Sequence, residues 1–139
     1  MNIKKILIIG AGGQLAFDLI EVLKSDYEII KASHRDFDVA DEQAVSGFIQ
    51  HKNPDIVINT AAYNNTEECE SSPEKSFRVN AIGAYYVAQA ASRVGAKNFF
   101  ISTNYVFDGS KPSFTEDDCP NPLNVYGASK YAGENLIKI

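Results

Sequence analysis

Residues 3–16 read Ile-Lys-Lys-Ile-Leu-Ile-Ile-Gly-Ala-Gly-Gly-Gln-Leu-Ala, and the rest of the fold can be worked out from this stretch. Residues 3–9 form a β-branched apolar run that ends at a glycine, which is typical of a strand buried on both faces. Over residues 14–24 the apolar side chains return every three or four positions, which predicts an amphipathic helix. The chain therefore begins with a buried strand, a glycine-rich turn and a helix.

The alternation of strand and helix continues along the chain. We expect further strands at residues 27–32, 55–59 and 97–102, and further helices at residues 41–52, at residues 73–94 and from residue 126 to the end. Residues 103–125 contain one glycine and three prolines, which predicts a loop with one short turn. Glu67, Glu68 and Glu70 predict a solvated acidic loop. Strands that alternate with helices indicate an α/β fold of the Rossmann type, a doubly wound parallel sheet with helices on both faces.

The composition argues against several classes of protein. The chain has 139 residues, 45% of them hydrophobic, which suits one globular domain. Thirteen Lys and Arg residues against 18 Asp and Glu residues give a net charge of −5, which disfavours nucleic-acid and anionic-membrane partners. No stretch of sequence approaches the roughly 20 apolar residues of a membrane span. Cys69 and Cys119 match neither a disulfide framework nor a zinc pattern, so we expect a cytoplasmic protein without a metal site.

The glycine-rich turn is the first motif with chemical meaning. Gly10 permits a tight turn, Gly13 would let a phosphate approach the backbone, and Ala16 allows close packing of the helix on the strand. Because N–H groups at the start of a helix attract an anion, the motif predicts a site for the pyrophosphate of a dinucleotide. Glycines also form ordinary turns, so the motif alone is equally compatible with a turn that binds no ligand.

The end of the second predicted strand bears on which dinucleotide binds. An NAD-binding domain usually has a carboxylate there for the ribose 2′-hydroxyl, whereas this chain has Ser33, His34 and Arg35 before Asp36. An imidazole and a guanidinium suit a 2′-phosphate, so we expect NADP to be favoured, with NAD as the other cofactor to consider. A solvated loop explains His34 and Arg35 equally well.

Two further segments fall where a cofactor could lie. Asp38 and Val39 precede the second predicted helix, and the Asp38 carboxylate could accept a hydrogen bond from the adenine amine. A capping turn is the alternative explanation for that carboxylate. The third strand ends in Asn-Thr-Ala-Ala-Tyr (59–63), whose small residues would let the backbone lie against a dinucleotide at the carboxyl edge of the sheet. The same small residues could serve only to pack helices on the sheet.

The spacing of Tyr126 and Lys130 indicates proton-transfer chemistry. Four positions apart on a helix, the two side chains lie on one face, and an ammonium beside a phenol stabilises the phenolate. Tyr126 could then donate a proton to a carbonyl oxygen as hydride reaches the carbon. Ser102 and Thr103, at the end of the fourth strand, offer a hydroxyl to the same oxygen. The alternatives are a solvated Tyr/Lys pair and a strand-terminating cap.

Five segments occur along the chain in a fixed order: GAGGQL (10–15), PDIVINTAAY (54–63), VNA (79–81), STNYVFDG (102–109) and PLNVYG-x-SK (122–130). Together they cover nearly the whole chain, and the set is highly specific. The sequence resembles the extended short-chain dehydrogenases/reductases, and within that superfamily it resembles most the dTDP-4-dehydrorhamnose reductases.

This resemblance implies an activity and a set of site residues. The activity is NAD(P)H-dependent reduction of the 4-keto group of a nucleotide sugar, dTDP-4-dehydrorhamnose, giving dTDP-rhamnose for cell-surface polysaccharide. Tyr126 would be the general acid, with Thr103 and Lys130 as the other catalytic residues and Lys130 also holding the nicotinamide ribose. The implied cofactor contacts are Gly10, Gly13, Gln14 and Leu15 at the pyrophosphate, Asp38 and Val39 at the adenine, and Ala61, Ala62, Tyr63 and Tyr126 beyond it. The resemblance also implies a homo-oligomer, most simply a homodimer.

The chain departs from the family pattern in two ways. Asn104 stands where the family usually has Asp, beside the substrate-contacting Thr103, which leaves the identity of the sugar open. Family members also continue into a smaller substrate-binding domain. We therefore expect residues 1–139 to be an incomplete NAD(P)-binding domain, the front part of a longer protein, inactive alone. Because the fourth strand would have an unpaired edge, we also expect self-association or marginal stability.

Two other functions share this scaffold. One is a non-catalytic, dinucleotide-binding regulatory subunit, which the joint presence of Thr103, Tyr126 and Lys130 disfavours. The other is a nucleotide-sugar epimerase or dehydratase that uses the same Tyr-x-x-x-Lys pair. Asn80, a polar residue among apolar neighbours, is expected to order a water or a backbone group near the sheet edge. Phe99 and Phe100 are expected to pack the fourth strand.

Overall fold

The structure is a computed structural model that describes residues 3–139. Within that range the strands are β1 (Lys5–Ile9), β2 (Glu28–Ala32), β3 (Ile56–Asn59) and β4 (Lys97–Phe100). The α-helices are α1 (Gln14–Leu23), α2 (Glu42–Lys52), α3 (Thr66–Ser71), α4 (Pro73–Phe77), α5 (Ala84–Arg93) and α6 (Val125–Leu136). A π-helical segment (Arg78–Gly83) joins α4 to α5, and a 3₁₀ turn (Asn104–Val106) follows β4.

The strands form one parallel sheet in the order β2-β1-β3-β4. In the register of this sheet Leu7 pairs with Ile30 on one side and with Val57 on the other. The order reverses between β1 and β3, which creates the crevice where open α/β sheets bind ligands. The predicted doubly wound parallel sheet is confirmed.

Alternate residues of β1 point to opposite faces of the sheet, and each face has its own core. Leu7 and Ile9 pack in a large cluster with side chains of α2 and α5. Ile6 and Ile8 pack in a smaller cluster with Ala16 and Ile20 of α1. Helices therefore cover both faces, as predicted.

The face that α1 covers stays partly open over β4. Phe99 was expected to pack the fourth strand, but its side chain is 43% exposed. The register places Phe99 beside Ile58, a residue of the α1 cluster, so it points away from the larger cluster. The prediction for Phe99 is wrong because the cluster that α1 forms includes residues of β1, β2 and β3 but none of β4.

The acidic segment around Glu67 is a helix, so the predicted loop is wrong. Asn65 caps α3 by accepting a hydrogen bond from the Glu68 N–H at 3.1 Å, and its side-chain amide donates to the Glu68 carboxylate at 3.1 Å. Acidic residues in the first turn stabilise a helix through its dipole. Glu67, Glu68 and Glu70 are exposed, as expected.

The other differences concern the ends and continuity of elements. The helix predicted over residues 73–94 is interrupted by the π-helical segment, in which one turn holds an extra residue. The last helix ends at Leu136, short of the chain end. The fourth strand ends at Phe100, two residues earlier than predicted, and the short turn expected in residues 103–125 is the 3₁₀ turn.

Candidate functional site

The glycine-rich turn brings the end of β1 against the end of β3. Gly10 has a φ of +88°, and a Cβ at this position would lie 2.7 Å from both the Ala61 nitrogen and the Thr60 Oγ1. Gly12 differs, since a Cβ there would meet nothing within 4 Å. Gly10 is therefore required by packing, whereas Gly12 borders open space that a ligand could use.

The start of α1 is suited to an anion. Gly13 occupies the N-cap position without a side-chain hydrogen bond, and the first turn carries no acidic residue. The N–H groups of the first turn lack helical partners, and the helix dipole adds positive potential there. These features fit the pyrophosphate of a dinucleotide.

Two adjoining cavities run along the carboxyl ends of the strands. The first, of about 590 Å³, is lined by these predicted cofactor residues: Gly10, Gly13, His34, Asp38, Val39, Ala61 and Ala62. The second, of about 440 Å³, is lined by these: Gly13, Gln14, Leu15, Ala62, Tyr126 and Lys130. Because Gly13, Thr60, Ala62 and Asn64 border both, the cavities form one groove from the end of β2 to α6.

The end of β2 forms a turn that uses its own carboxylate. Asp36 accepts hydrogen bonds from the Ser33 N–H at 2.8 Å and the Ser33 hydroxyl at 3.0 Å, which lower the pKa of Asp36. His34 lines the groove, whereas Arg35 is exposed and lies outside the residues that line it. The only carboxylate of the turn is thus engaged within it, and the imidazole borders the groove.

Tyr63 faces α3 rather than the groove. Its hydroxyl donates to the Glu68 carboxylate at 2.7 Å, which raises the pKa of Tyr63, and the Lys75 ammonium lies 4.2 Å from its ring centroid. Its N–H donates to the side-chain oxygen of Asn80 at 2.8 Å. Any contact of this residue with a cofactor would therefore come from its backbone.

Asn80 ties this segment to α6. Its amide group donates to the Tyr63 carbonyl and to the Ser129 hydroxyl, both at 2.9 Å, and Ser129 in turn donates to the Tyr126 carbonyl at 2.8 Å. Asn80 and Ser129 are fully buried. The expectation that Asn80 orders a backbone group is confirmed, while Ser129 was missed because its partner lies 49 residues away.

Tyr126 lies in the first turn of α6, whose start is fixed by three contacts. Asn124 caps the helix by accepting from the Gly127 N–H at 2.7 Å, and Glu70 of α3 accepts from the Val125 N–H at 2.7 Å. A Cβ at Gly127 would lie 2.1 Å from the Tyr105 oxygen, so glycine allows α6 to approach the 3₁₀ turn. As predicted from their spacing, Tyr126 and Lys130 share one face of α6, since both line the second cavity.

Lys130 is the most deeply buried charged side chain of the described residues, at 2% exposure. Its ammonium donates to the Ile101 carbonyl and lies 4.0 Å from the ring centroid of Phe100. Burial lowers the pKa of Lys130 to about 8, and the charge of Glu134 opposes that effect. The amine therefore loses its proton at a lower pH than an exposed lysine does, although it is still mostly charged at neutral pH.

The two hydroxyls that follow β4 are placed differently. Ser102 lines the second cavity with Tyr126 and Lys130, and its hydroxyl donates to the Glu134 carboxylate. Thr103 caps the 3₁₀ turn by accepting from the Tyr105 N–H at 3.3 Å, and it is not among the residues that border the groove. Asn104 borders a separate cavity of about 610 Å³ within the loop after β4.

Residues 3–139 contain neither a metal-binding cluster nor a membrane-spanning helix. No group of three or more His, Cys, Asp or Glu side chains is arranged to hold a metal ion. None of the helices in this range is long and apolar enough to cross a membrane.

Comparison with known proteins shows close relatives of this chain. The family described as the RmlD substrate binding domain matches residues 4–139. The spore coat polysaccharide biosynthesis protein SpsK of Bacillus subtilis is 42% identical over 137 residues, which are 97% of this chain and 48% of that protein. The Methionine adenosyltransferase 2 subunit beta of Xenopus laevis is 32% identical over 142 residues, which cover 96% of this chain and 42% of that one.

Solved structures match this chain over nearly its whole length as well. The crystal structure of dTDP-4-dehydrorhamnose reductase from Bacillus anthracis in complex with NADP superposes with a TM-score of 0.96 at 39% identity. The match covers 99% of this chain and 50% of that structure. The chain thus spans about half the length of the relatives it matches.

Proposed function

This chain belongs to the family of the RmlD substrate binding domain, and on that premise we propose that it is the NADP-binding part of a dTDP-4-dehydrorhamnose reductase. One observation carries the proposal: Tyr126 and Lys130 line the second cavity of the groove, and the glycine-rich turn lines the first, which adjoins it. In that arrangement a dinucleotide on the glycine turn would bring its nicotinamide towards the phenol and the ammonium. The Bacillus anthracis reductase, which is similar over almost the whole chain, holds NADP.

Each part of the groove has a proposed contact. The first turn of α1, from Gln14, would hold the pyrophosphate, Asp38 and Val39 would meet the adenine, and His34 would meet the 2′-phosphate. Arg35 lies on the same turn and would reach the phosphate from outside the groove. Ala61 and Ala62 would allow the cofactor to lie against the end of β3.

NADPH, when bound, supplies the hydride. The residues of the chain would do the rest of the chemistry: Lys130 would keep its charge beside Tyr126, and Tyr126 would donate a proton to the carbonyl oxygen of the sugar. Thr103 accepts a hydrogen bond through its oxygen, so its own proton is available to the same carbonyl. Thr103 would have to turn towards the groove to do so, with Asn104 beside it at the substrate.

Turnover tests the proposal. Expressed from its whole reading frame, the protein should oxidise NADPH when dTDP-4-dehydrorhamnose is added, and a Tyr126→Phe variant should lose at least about 100-fold in kcat while it binds NADPH normally. Sugar turnover with no net change in NADPH absorbance would instead indicate an epimerase. If NADPH is not oxidised with any 4-keto nucleotide sugar, the reductase proposal fails.

A second candidate function is a regulatory subunit that binds a dinucleotide. The similarity to Methionine adenosyltransferase 2 subunit beta favours it. Such a protein would bind NADPH without turnover, and Tyr126→Phe would change neither its binding nor its effect on a partner. The reductase proposal also carries three predictions about the whole protein. They are a cytoplasmic location, a homodimer, and residues 1–139 as one incomplete NAD(P)-binding domain.

A further inference from the structure

We propose that Glu134 is a positioning residue of this site, which holds the Ser102 hydroxyl just after β4 and places a negative charge near the buried Lys130 ammonium. The proposal rests on the proposed function for its consequence in catalysis, but the hydrogen bond from Ser102 to Glu134 and the position of Glu134 four residues beyond Lys130 on α6 do not depend on a ligand. Glu134 lies near the end of α6, outside the motifs from which the site was predicted.

The first contact joins α6 to the sheet. The Ser102 hydroxyl donates to the Glu134 carboxylate over a separation of 32 residues, and both side chains are partly buried. A hydrogen bond to a charged acceptor is stronger than a neutral one. Glu134 therefore fixes the position of a side chain that borders the same cavity as Tyr126 and Lys130.

This contact also decides what Ser102 can do. A serine hydroxyl can donate one hydrogen bond, and Ser102 donates it to the Glu134 carboxylate. Towards the cavity the oxygen then presents only lone pairs, so it can accept a hydrogen bond from a sugar hydroxyl but cannot donate one to a carbonyl. Proton donation to a substrate carbonyl is left to Tyr126 and Thr103.

The second interaction of Glu134 is electrostatic and does not involve a direct ion pair. Glu134 is four positions beyond Lys130 on the same helix, so both side chains lie on one face of α6. The Lys130 ammonium is bonded to a neutral carbonyl and packed on an aromatic ring, and it has no ion pair within 4 Å among the described residues. Burial lowers the pKa of Lys130, and Glu134 is the charged group that opposes this effect.

Other titratable groups surround this part of α6. One is Asp18, across the cavity on α1. The others lie on α6 and its end and on the elements packed against it: Glu67, Glu68, Cys69, Glu70, Glu74, Lys75, Arg78, Tyr85, Tyr86, Arg93, Tyr105, Tyr126, Tyr131 and Lys138. Within residues 3–139 the structure gives none of them a hydrogen bond or ion pair with Lys130. Glu134 also forms no ion pair within 4 Å of the ammonium, but among the described residues its charge is the one that opposes the effect of burial on the pKa of Lys130, so its removal should matter most.

Two variants separate the contacts. Glu134→Gln keeps an oxygen that can accept from Ser102 but removes the charge, and Ser102→Ala removes the hydrogen bond but keeps the charge. The readout is the titration of Lys130 in the protein expressed from its whole reading frame, followed by NMR of lysine labelled with ¹³C at Cε. It needs neither cofactor nor substrate.

We expect Glu134→Gln to lower the pKa of Lys130 by about one pH unit, and Ser102→Ala to leave it nearly unchanged. The matched control is Glu21→Gln, which also removes one negative charge and should leave the pKa of Lys130 unchanged. Glu21 pairs with Lys24 at 2.6 Å and lies outside the groove. A Lys130 titration that is the same in Glu134→Gln and in the unmodified chain would overturn the proposal.

If circular dichroism shows that Glu134→Gln does not fold, the Glu134→Asp variant tests the role of the charge instead. This variant keeps the charge near Lys130 with one methylene fewer, so the pKa of Lys130 should stay near that of the unmodified chain. A fall of about one pH unit in the Asp variant would contradict the role of the charge.

Catalysis offers a second readout that a merely structural role would not move. In the protein expressed from the whole reading frame, Glu134→Gln should move the upper pH limit of kcat downwards by the same amount, with KM for NADPH unchanged. A lower kcat with an unmoved pH profile would show that Glu134 is only structural. Failure of the proposed function would appear separately, as absent turnover in the unmodified protein with the Lys130 titration as predicted.

Discussion

The Lys130 ammonium donates a hydrogen bond to the main-chain oxygen of Ile101, the residue that directly follows β4. A side chain of α6 is thereby held on the carboxyl edge of the sheet, where Tyr126 and the glycine-rich turn border the same groove. The catalytic proposal and the pH behaviour of the fold both depend on this buried amine.

The first prediction concerns stability and pH. Because burial lowers the pKa of Lys130 from 10.5 to about 8, the unfolded chain binds more protons than the folded chain between these values. Stability should therefore rise with pH in this window, by up to about 3 kcal/mol relative to a Lys130→Met variant, which has no such titration. Urea unfolding of both chains from pH 7 to pH 10.5 measures this difference. A constant difference across the window would contradict the burial of a charged amine.

The second prediction contrasts two glycines of the same turn. Gly10→Ala should destabilise the fold by about 3 kcal/mol, because φ is positive and the added Cβ would clash with the end of β3. Gly12→Ala should leave stability within about 0.5 kcal/mol, since its Cβ meets no protein atom, but it should weaken NADPH binding roughly tenfold. Thermal melts and NADPH titrations of both variants provide the test, and the idea fails if Gly12→Ala binds NADPH as well as the unmodified chain.

The third prediction concerns the choice of cofactor. His34→Ala should weaken NADPH binding about tenfold and leave NADH binding nearly unchanged, because only NADPH carries the 2′-phosphate. Arg35→Ala should have a smaller effect of the same kind, since Arg35 lies outside the groove. Side-by-side titrations of the two nucleotides measure the ratio. If the unmodified chain binds NADPH and NADH with equal affinity, the argument for NADP fails.

The fourth prediction concerns the buried amide of Asn80. Asn80→Ala should lower the free energy of unfolding by about 2–3 kcal/mol, because it leaves the part-buried Tyr63 N–H without a partner and the Tyr63 carbonyl with only the weak thiol donor of Cys69. Asn98 on β4 is a control of the same type, since its buried side-chain oxygen has no hydrogen-bond partner among the described residues. Asn98→Ala should cost less than about 1 kcal/mol. Equal losses in urea unfolding would show that the Asn80 hydrogen bonds add nothing.

The fifth prediction concerns the edge of the sheet. β4 is an edge strand, and Phe99 and Ile101 next to that edge are exposed apolar residues. The 139-residue chain should self-associate at this edge, and Phe99→Lys should reduce that association. Val22→Lys is the control, because Val22 is an exposed apolar residue on α1, away from β4. Sedimentation of a well-behaved monomer before any substitution would contradict the prediction.

The strand and helix pattern could be predicted from the sequence because it depends on local periodicity. Residues of β1 alternate between two cores, and Asp41 caps α2 by accepting from the Gln43 and Ala44 N–H groups, as its position before an apolar face predicts. α3 was missed because six residues show no apolar period, although Asn65 with Glu68 three positions later was a capping signal.

The functional groove was only partly predictable. Tyr126 and Lys130 share a face because helix geometry fixes their relation, and the glycine turn is local as well. The contact between Ser102 and Glu134 and the one between Asn80 and Ser129 join polar residues 32 and 49 positions apart, and no local rule relates them. The π-helical segment that carries Asn80 was also missed, since one extra residue in a turn hardly changes the periodicity.

The central claim is that one groove joins the glycine-rich turn to Tyr126 and Lys130. NMR of the protein expressed from its whole reading frame, during a titration with NADPH, tests it most directly, with the signals of Gly12, Gly13, Tyr126 and Lys130 assigned. The account predicts saturable shifts of all four sets of signals with a single dissociation constant. Shifts confined to the two glycines, with Tyr126 and Lys130 unmoved at saturation, would contradict it.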